Sequence, residues 1–377
     1  LMRADPRPDT IDLGIGVYRD EAGRAPVSAS VKAAERYLLE TQATKAYVGP
    51  AGDSEFARQV QDVVIGRGAP EAERIASVQA AGGTGALRLA MELIAHTKPG
   101  ARVWLGTPSW PNHAPLIAAT GLEFGTYRYY DPATATLDFA VMMDVLSKAA
   151  AGDVVLLHGC CHNPTGAELG FERWRDVTAM IERRGLLPLI DMAYQGLGEG
   201  LDRDAAGVRY LLEHVPEALI AASCSKSFGL YRERTGILIA LTANAADAAT
   251  VGSNLQSMAR LLYSNPPDHG AAVVRTILGD TQLERDWRAG LEAMRVRIRA
   301  VRTRLSRADG GSIDFSSIAA QNGLFALLPL DPEEVDALRR DHGIYMARSG
   351  RINVAGLNDG NLDRFVAAVA SLPRRRG

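Results

Sequence analysis

Cysteine is scarce: the 377 residues hold three, and two of them, Cys160 and Cys161, are neighbours in "GCCHNPTG", where adjacent thiols bridge poorly. That excludes a disulfide framework and fits a reducing cytoplasm. No second ligand pair follows the Cys-Cys-His cluster at a zinc-like spacing, so no metal site is expected. An excess of one charge is lacking too: 42 basic and 44 acidic residues leave a formal net charge of -2, which gives no field for collecting nucleic acid. Basic residues are scattered except in the terminal "PRRRG", which reads as a solvated tail. No apolar run approaches the ~20 residues that span a bilayer; "DVVLLHG" and "LLPLI" are strand-sized. "LMRADPRPDT" shows no signal peptide and does not begin with methionine, so the natural N-terminus is expected to be missing or processed. Low-complexity tracts and internal repeats are absent.

What is present from about residue 75 is an alternation of short apolar runs and helix-like segments: "RVWLGTPSWPN", "GDVVLLHGCCHNPTG", "LLPLIDMAYQG", "ALIAASCSKSFG" and "TGILIALTA". This pattern predicts a mostly parallel sheet wrapped by helices. Several runs end in polar residues: Asn163, then Asp191 and Tyr194, then Ser223 to Lys226. Open α/β sheets bind ligands beyond the carboxyl ends of their strands, so these residues should meet in one crevice. From about Gln282 to Arg307, Leu283, Trp287, Leu291, Met294, Ile298, Val301 and Leu305 recur at spacings of three and four, which predicts one long amphipathic helix. Beyond it, "GLFALLPL" and "GRINVAG" read as strands around a helix near Pro332 to Asp341.

"AAGGTGALRLAMELI" sets Gly82, Gly83, Thr84 and Gly85 before an apolar helix. Such a start is either a flexible turn with a cap or an anion site, because unpaired N–H groups and the helix dipole favour negative charge. It matches neither the G-x-G-x-x-G nor the Walker pattern. Lys226 follows an apolar run and has Arg234 nearby in sequence, a setting that can lower an amine pKa and make it nucleophilic. Asp191, after "LLPLI", is costly to bury without a cationic partner. Each feature alone also has a structural explanation. Together, a phosphate cradle, a reactive amine and a buried carboxylate are the parts that pyridoxal 5′-phosphate needs. Ser223-x-x-Lys226 also fits the S-x-x-K motif of acyl-transfer enzymes, but the companion S-D-N and K-T-G elements are missing.

Taken in order, "DLGIGVYRDE", "GGTGALR", "PSWPNH", "HGCCHNPTG", "DMAYQG", "SCSKSFGLYRERTG", "YSNPPDHGA" and "SGRINVAGL" resemble, over nearly the whole chain, the class I aspartate and aromatic amino acid aminotransferases. The family's N-terminal arm is expected to be mostly missing here. The resemblance implies an α/β protein of the pyridoxal-phosphate-dependent transferase fold type I. Its large cofactor-binding domain would span residues 26–289 on a mostly parallel sheet, and a smaller α+β domain would combine residues 1–25 and 290–377. Lys226 would hold the cofactor covalently and, freed by substrate, act as the base and acid that moves the proton between the substrate Cα and the cofactor's C4′. Asp191 would pair with the pyridinium nitrogen, Asn163 and Tyr194 would bond the phenolic oxygen, and Trp110 would stack on the ring. Gly83, Thr84, Ser223, Ser225 and Arg234 would hold the phosphate, with Tyr47 contributed by the other subunit. His113 and His158 would stand near Asp191, merely satisfied core histidines being the competing reading.

On the substrate side, the resemblance makes Arg351 the clamp on the α-carboxylate, with Gly16, Trp110 and Asn163 beside it. Arg260, with Asn265 nearby, would come from the other subunit to read a distal carboxylate. The expected activity is transfer of the amino group of aspartate to 2-oxoglutarate in two half-reactions at one site of a cytoplasmic homodimer that touches neither nucleic acid nor membrane. Aromatic preference stays open, since relatives accepting phenylalanine or tyrosine keep this arginine and move it aside. A β-lyase outcome would share Lys226, Asp191 and Arg351.

Overall fold

The computed structural model describes residue 2, residues 5–67 and residues 72–373; the basic tail beyond them lies outside the described residues. Seven strands form the central sheet: β1 (Ile75–Ala81), β2 (Arg102–Thr107), β3 (Glu123–Arg128), β4 (Val154–His158), β5 (Leu187–Met192), β6 (Ala218–Ser223) and β7 (Thr235–Leu241). Their spatial order is β1-β7-β6-β5-β4-β2-β3. β7 runs antiparallel to both neighbours, and every other pairing is parallel, so the expected mostly parallel sheet is what forms.

β5 and β7 are buried along their whole lengths, as strands covered on both faces must be. The period of two sorts their side chains between two cores. Val155, Leu157 and Ile190 join Phe56, Trp174 and Ile237 on one face, while Val154, Leu156 and Leu189 join Leu87, Met91 and Leu238 on the other. Register sets His158 beside Asp191, and Asp191 beside Ala221. The polar ends of β4, β5 and β6 therefore lie side by side, which is what the chemistry requires.

Helix α1 (Gly82–Thr97) follows β1, and α2 (Ala245–Tyr263) follows β7. The predicted long helix is α3 (Thr281–Leu305). The Asp280 carboxylate accepts the N–H groups of Gln282 and Leu283, both at 2.9 Å, a cap typically worth about 1 kcal/mol. α3 buries Trp287, Leu291, Ile298, Val301 and Leu305 as the spacing predicted, and also Arg302. Beyond it, β8 (Phe325–Leu327) and β9 (Arg351–Asn353) pair antiparallel. A third core packs Ile11 and Leu13 against Leu305, Phe315, Ile352 and Phe365. The short strand Ile11–Asp12 pairs parallel with Ile344–Tyr345. No helix among the described residues is long and apolar enough to cross a membrane.

Candidate active site

One cavity gathers most of the residues singled out from sequence. Gly83, Thr84, Trp110, Asn163, Asp191, Tyr194, Ser223, Ser225, Lys226 and Arg234 all line it. Leu87 and Ala193 also face it, and sequence reading passed over both. Leu87 lies one helical turn after Thr84 on the same face of α1. Ala193 sits between two recognised residues in "DMAYQG".

The backbone of this cradle depends on glycine at one position in particular. Gly82 has φ +71°, and a Cβ there would lie 2.5 Å from Arg234 Nη2, so only glycine lets α1 start against that guanidinium. The N-cap of α1, Ala81, provides no side-chain hydrogen bond, leaving the first amide groups for an anion. Ser223 caps the single helical turn Cys224–Ser227, its Oγ accepting the Ser225 N–H at 3.2 Å. Arg234 Nη1 donates to Ser225 Oγ at 3.4 Å.

Electrostatics complete the picture. Lys226 Nζ stands 4.8 Å above the Tyr194 ring, and burial, aided by Arg234, lowers its pKa despite the Asp191 charge. For Asp191, burial opposes the charge, yet the His113 hydrogen bond and the charges around it hold its carboxyl below the usual range. His113 bridges Asp191 Oδ2 at 3.0 Å and Ser109 Oγ at 2.8 Å. With the Ser109 hydroxyl donating to Nδ1, Nε2–H is free to donate to Asp191. His158 lies beside His113, ring centroids 5.1 Å apart; burial, then His113, pushes it down to about 3. Burial raises the Tyr194 phenol, whose oxygen receives Asn163 Nδ2–H at 3.5 Å. An uncapped helix start beside Arg234, a depressed buried amine and an anionic buried carboxylate fit a molecule bearing phosphate, aldehyde and pyridinium groups.

Next to the cavity, Arg351 donates to Gly14 O at 2.9 Å and to Asn163 Oδ1 at 3.4 Å. Its Nε is buried without a partner, and its guanidinium lies 4.5 Å over the Phe325 ring. Phe325 also packs edge-on against Tyr194, and a Cβ on Gly16 would come within 2.8 Å of its Cζ. Sequence reading took Phe325 only as a strand residue. Tyr47 and Arg260 are both exposed, and neither lines the cavity of the single chain.

The fold and the site together define a pyridoxal-phosphate enzyme. The sequence profile described as "Aminotransferase class I and II" matches residues 8–369. The chain is 52% identical over 375 residues to the tyrosine aminotransferase of Rhizobium meliloti (strain 1021), covering 99% of this chain and 95% of that one. It is 45% identical over 380 residues to the aspartate aminotransferase of Escherichia coli (strain K12), covering 99% and 95%. The crystal structure of the aromatic-amino-acid aminotransferase from Burkholderia pseudomallei, covalently bound to pyridoxal phosphate, superposes with a TM-score of 0.95 at 39% identity, covering 98% and 94%. The chain belongs to the class I and II aminotransferases. It has their fold type I architecture, its cofactor is pyridoxal 5′-phosphate, and its reaction is amino transfer between an amino acid and a 2-oxo acid. The acyl-transfer reading of Ser223-x-x-Lys226 falls with this, and Ser223 Oγ is a helix cap.

Proposed function

We propose that the enzyme transfers the amino group of aspartate to 2-oxoglutarate, with the cavity residues in the roles the resemblance gives them. The observation that carries this reading is the convergence of Lys226, Asp191, Asn163, Tyr194 and Arg234 on one cavity, with Arg351 joined to it through Asn163. When bound, the cofactor supplies an electron sink for the pair left at the substrate Cα. Lys226 Nζ would hold the cofactor covalently and, as a free amine, would carry the proton from the substrate Cα to the cofactor's C4′. Its lowered pKa favours the neutral amine that a base must be. Asp191 would keep a proton on the ring nitrogen through its charge. Asn163 and Tyr194 would donate to the phenolic oxygen, and Trp110 would pack against the ring. Gly83, Thr84, Ser223, Ser225 and Arg234 would hold the phosphate, and Arg351, with Gly16 beside it, would receive the substrate carboxylate.

The proposal includes a homodimer in which Tyr47 and Arg260 of each chain serve the other chain's site. What supports it is that Tyr47 is 91% exposed and that neither Tyr47 nor Arg260 lines the cavity of its own chain, so either residue could serve a site only from outside that chain. It also includes a small domain of residues 1–25 and 290–377 beside a large domain of 26–289, which the separate third core supports. A cytoplasmic setting accords with three unpaired thiols. Aromatic donors are the second reading, favoured by the relatives named for tyrosine and aromatic amino acids. The test is kcat/KM for aspartate, tyrosine and phenylalanine in the wild type and in Arg260→Ala. A loss confined to aspartate supports the first reading; a wild type that turns over tyrosine well and aspartate hardly at all replaces it with the second.

A further inference from the structure

Between the loop carrying Asn163 and the strand carrying Arg351 lies a polar network that the proposed chemistry does not use. Glu168 follows β4 by ten residues. One of its carboxylate oxygens accepts the Cys161 N–H, and the other accepts Asn322 Nδ2–H at 2.9 Å. Cys161 has φ +52°, a left-handed state unfavourable for a residue with a Cβ, and stands two positions before Asn163. Burial pushes the Glu168 carboxyl above the usual range, so its retention needs those two donors. Asn322 is held from its other end as well, Arg299 Nη2 donating to Oδ1 at 3.0 Å, and its N–H donates to Gly166 O at 2.8 Å.

From Asn322 the chain runs into β8, where Phe325 pairs with Asn353 and Leu327 with Arg351. The direct contact of Arg351 with Asn163 is long, 3.4 Å. Their relative position is therefore set by the strap of residues 322–327, stitched to one loop through Glu168 and to β9 through the strand ladder. We propose that Glu168 is a positioning residue of the transfer reaction: it fixes the left-handed turn at Cys161, ties it to Asn322, and so sets Asn163 and Arg351 in common register. This rests on the assignment of Asn163 to the cofactor's phenolic oxygen.

Glutamine has the shape of glutamate but turns one acceptor into a donor, so Glu168→Gln sets N–H against N–H at either Cys161 or Asn322. The experiment titrates the visible absorption of cofactor-loaded protein against pH and measures kcat and KM for aspartate. It uses the wild type, Glu168→Gln, Asn163→Ala and the double variant. Asn322→Ala, which cuts the same tie, is scored in the same way and replaces Glu168→Gln should that variant not fold. Asn163→Ala is expected to move the spectral midpoint. Glu168→Gln moves it in the same direction by less and raises KM about tenfold with a smaller change in kcat, as loss of binding register should. In the double variant the midpoint stays where Asn163→Ala left it, because residues acting through one another are not additive. A Glu168→Gln shift that adds in full to that of Asn163→Ala, or no shift where Asn163→Ala gives one, overturns the role of Glu168. A midpoint unmoved by Asn163→Ala overturns the Asn163 assignment and the inference with it.

Discussion

Removing the Arg351 guanidinium tests the proposed clamp, because it should impair carboxylate recognition while leaving cofactor loading intact. The side chain has a fork to offer: Nη2 is engaged by Gly14 O at 2.9 Å, Nη1 bonds Asn163 only at 3.4 Å, and Nε has no partner. Two charge-assisted hydrogen bonds to a substrate carboxylate are worth about 1.5–3 kcal/mol each. These values are already net of exchange with water, and taking both near the lower end, because Nη2 also serves Gly14 O, Arg351→Ala should cost about 3–4 kcal/mol of transition-state binding. At about 1.4 kcal/mol per tenfold, this is a loss of roughly 200- to 1,000-fold in kcat/KM. Arg351→Lys keeps the charge and loses the fork, and should fall in between, roughly 10- to 100-fold. Lys226, Asp191 and the phosphate cradle are not hydrogen-bond partners of Arg351, so the variant should still load the cofactor and show its visible band, while the band's pH midpoint should move because Arg351 Nη1 bonds Asn163 Oδ1 at 3.4 Å. The assay is steady-state transfer from aspartate to 2-oxoglutarate, with the spectrum as control. Arg351→Ala retaining kcat/KM within about threefold would refute the clamp.

Gly82→Ala forces a Cβ onto Arg234 at a φ of +71° and should weaken cofactor binding by roughly 30-fold, from about 2 kcal/mol of strain and displaced guanidinium; an unchanged dissociation constant in a fluorescence titration of cofactor-free protein would count against the cradle. His158 is neutral in the fold, its pKa held at about 3 against an ordinary 6.5, so the unfolded chain binds the extra proton. Its contribution is complete above pH 6.5 and is lost as pH falls toward about 3, on the order of 2–3 kcal/mol by pH 4.5. Urea unfolding of cofactor-free protein at pH 7 and 4.5 should therefore show a shallower acid loss in His158→Asn, and identical losses would remove His158 from the explanation. Arg302→Leu strips donors from the carbonyls of Ile318, Asn322, Gly323 and Phe325 and should cost about 3–5 kcal/mol in the same assay; a cost under about 1 kcal/mol would mean that those carbonyls find water.

The sheet was legible because a strand covered on both faces must be apolar throughout, and "LLPLI" and "TGILIAL" are. Order along the chain then set which strand ends meet. The residues of the single-chain cavity followed, since Asn163, Asp191 and Lys226 each interrupt or end an apolar run. Phe325 was not legible as a site residue, because an aromatic in a strand is ordinary core; only its contacts with Arg351 and Tyr194 mark it. Tyr47 and Arg260 stand exposed in one chain, and only the resemblance singled them out.

Arg302 and Glu168 show why the remainder stayed hidden. In the helical pattern of α3, position 302 follows Val301 on the buried face, where an arginine reads as a long side chain reaching past the core to solvent. It instead ends on four backbone carbonyls, all at least sixteen residues away in sequence. Glu168 likewise serves a backbone N–H and an amide 154 residues distant. A reacting group announces itself locally, because a charge at the end of an apolar run breaks a pattern. A residue that satisfies backbone groups breaks none, since every residue type offers nearly the same N–H and C=O. The sequence therefore exposes the groups that react and conceals those that hold them in place, and the concealed ones are where substitution should change catalysis without touching the substrate.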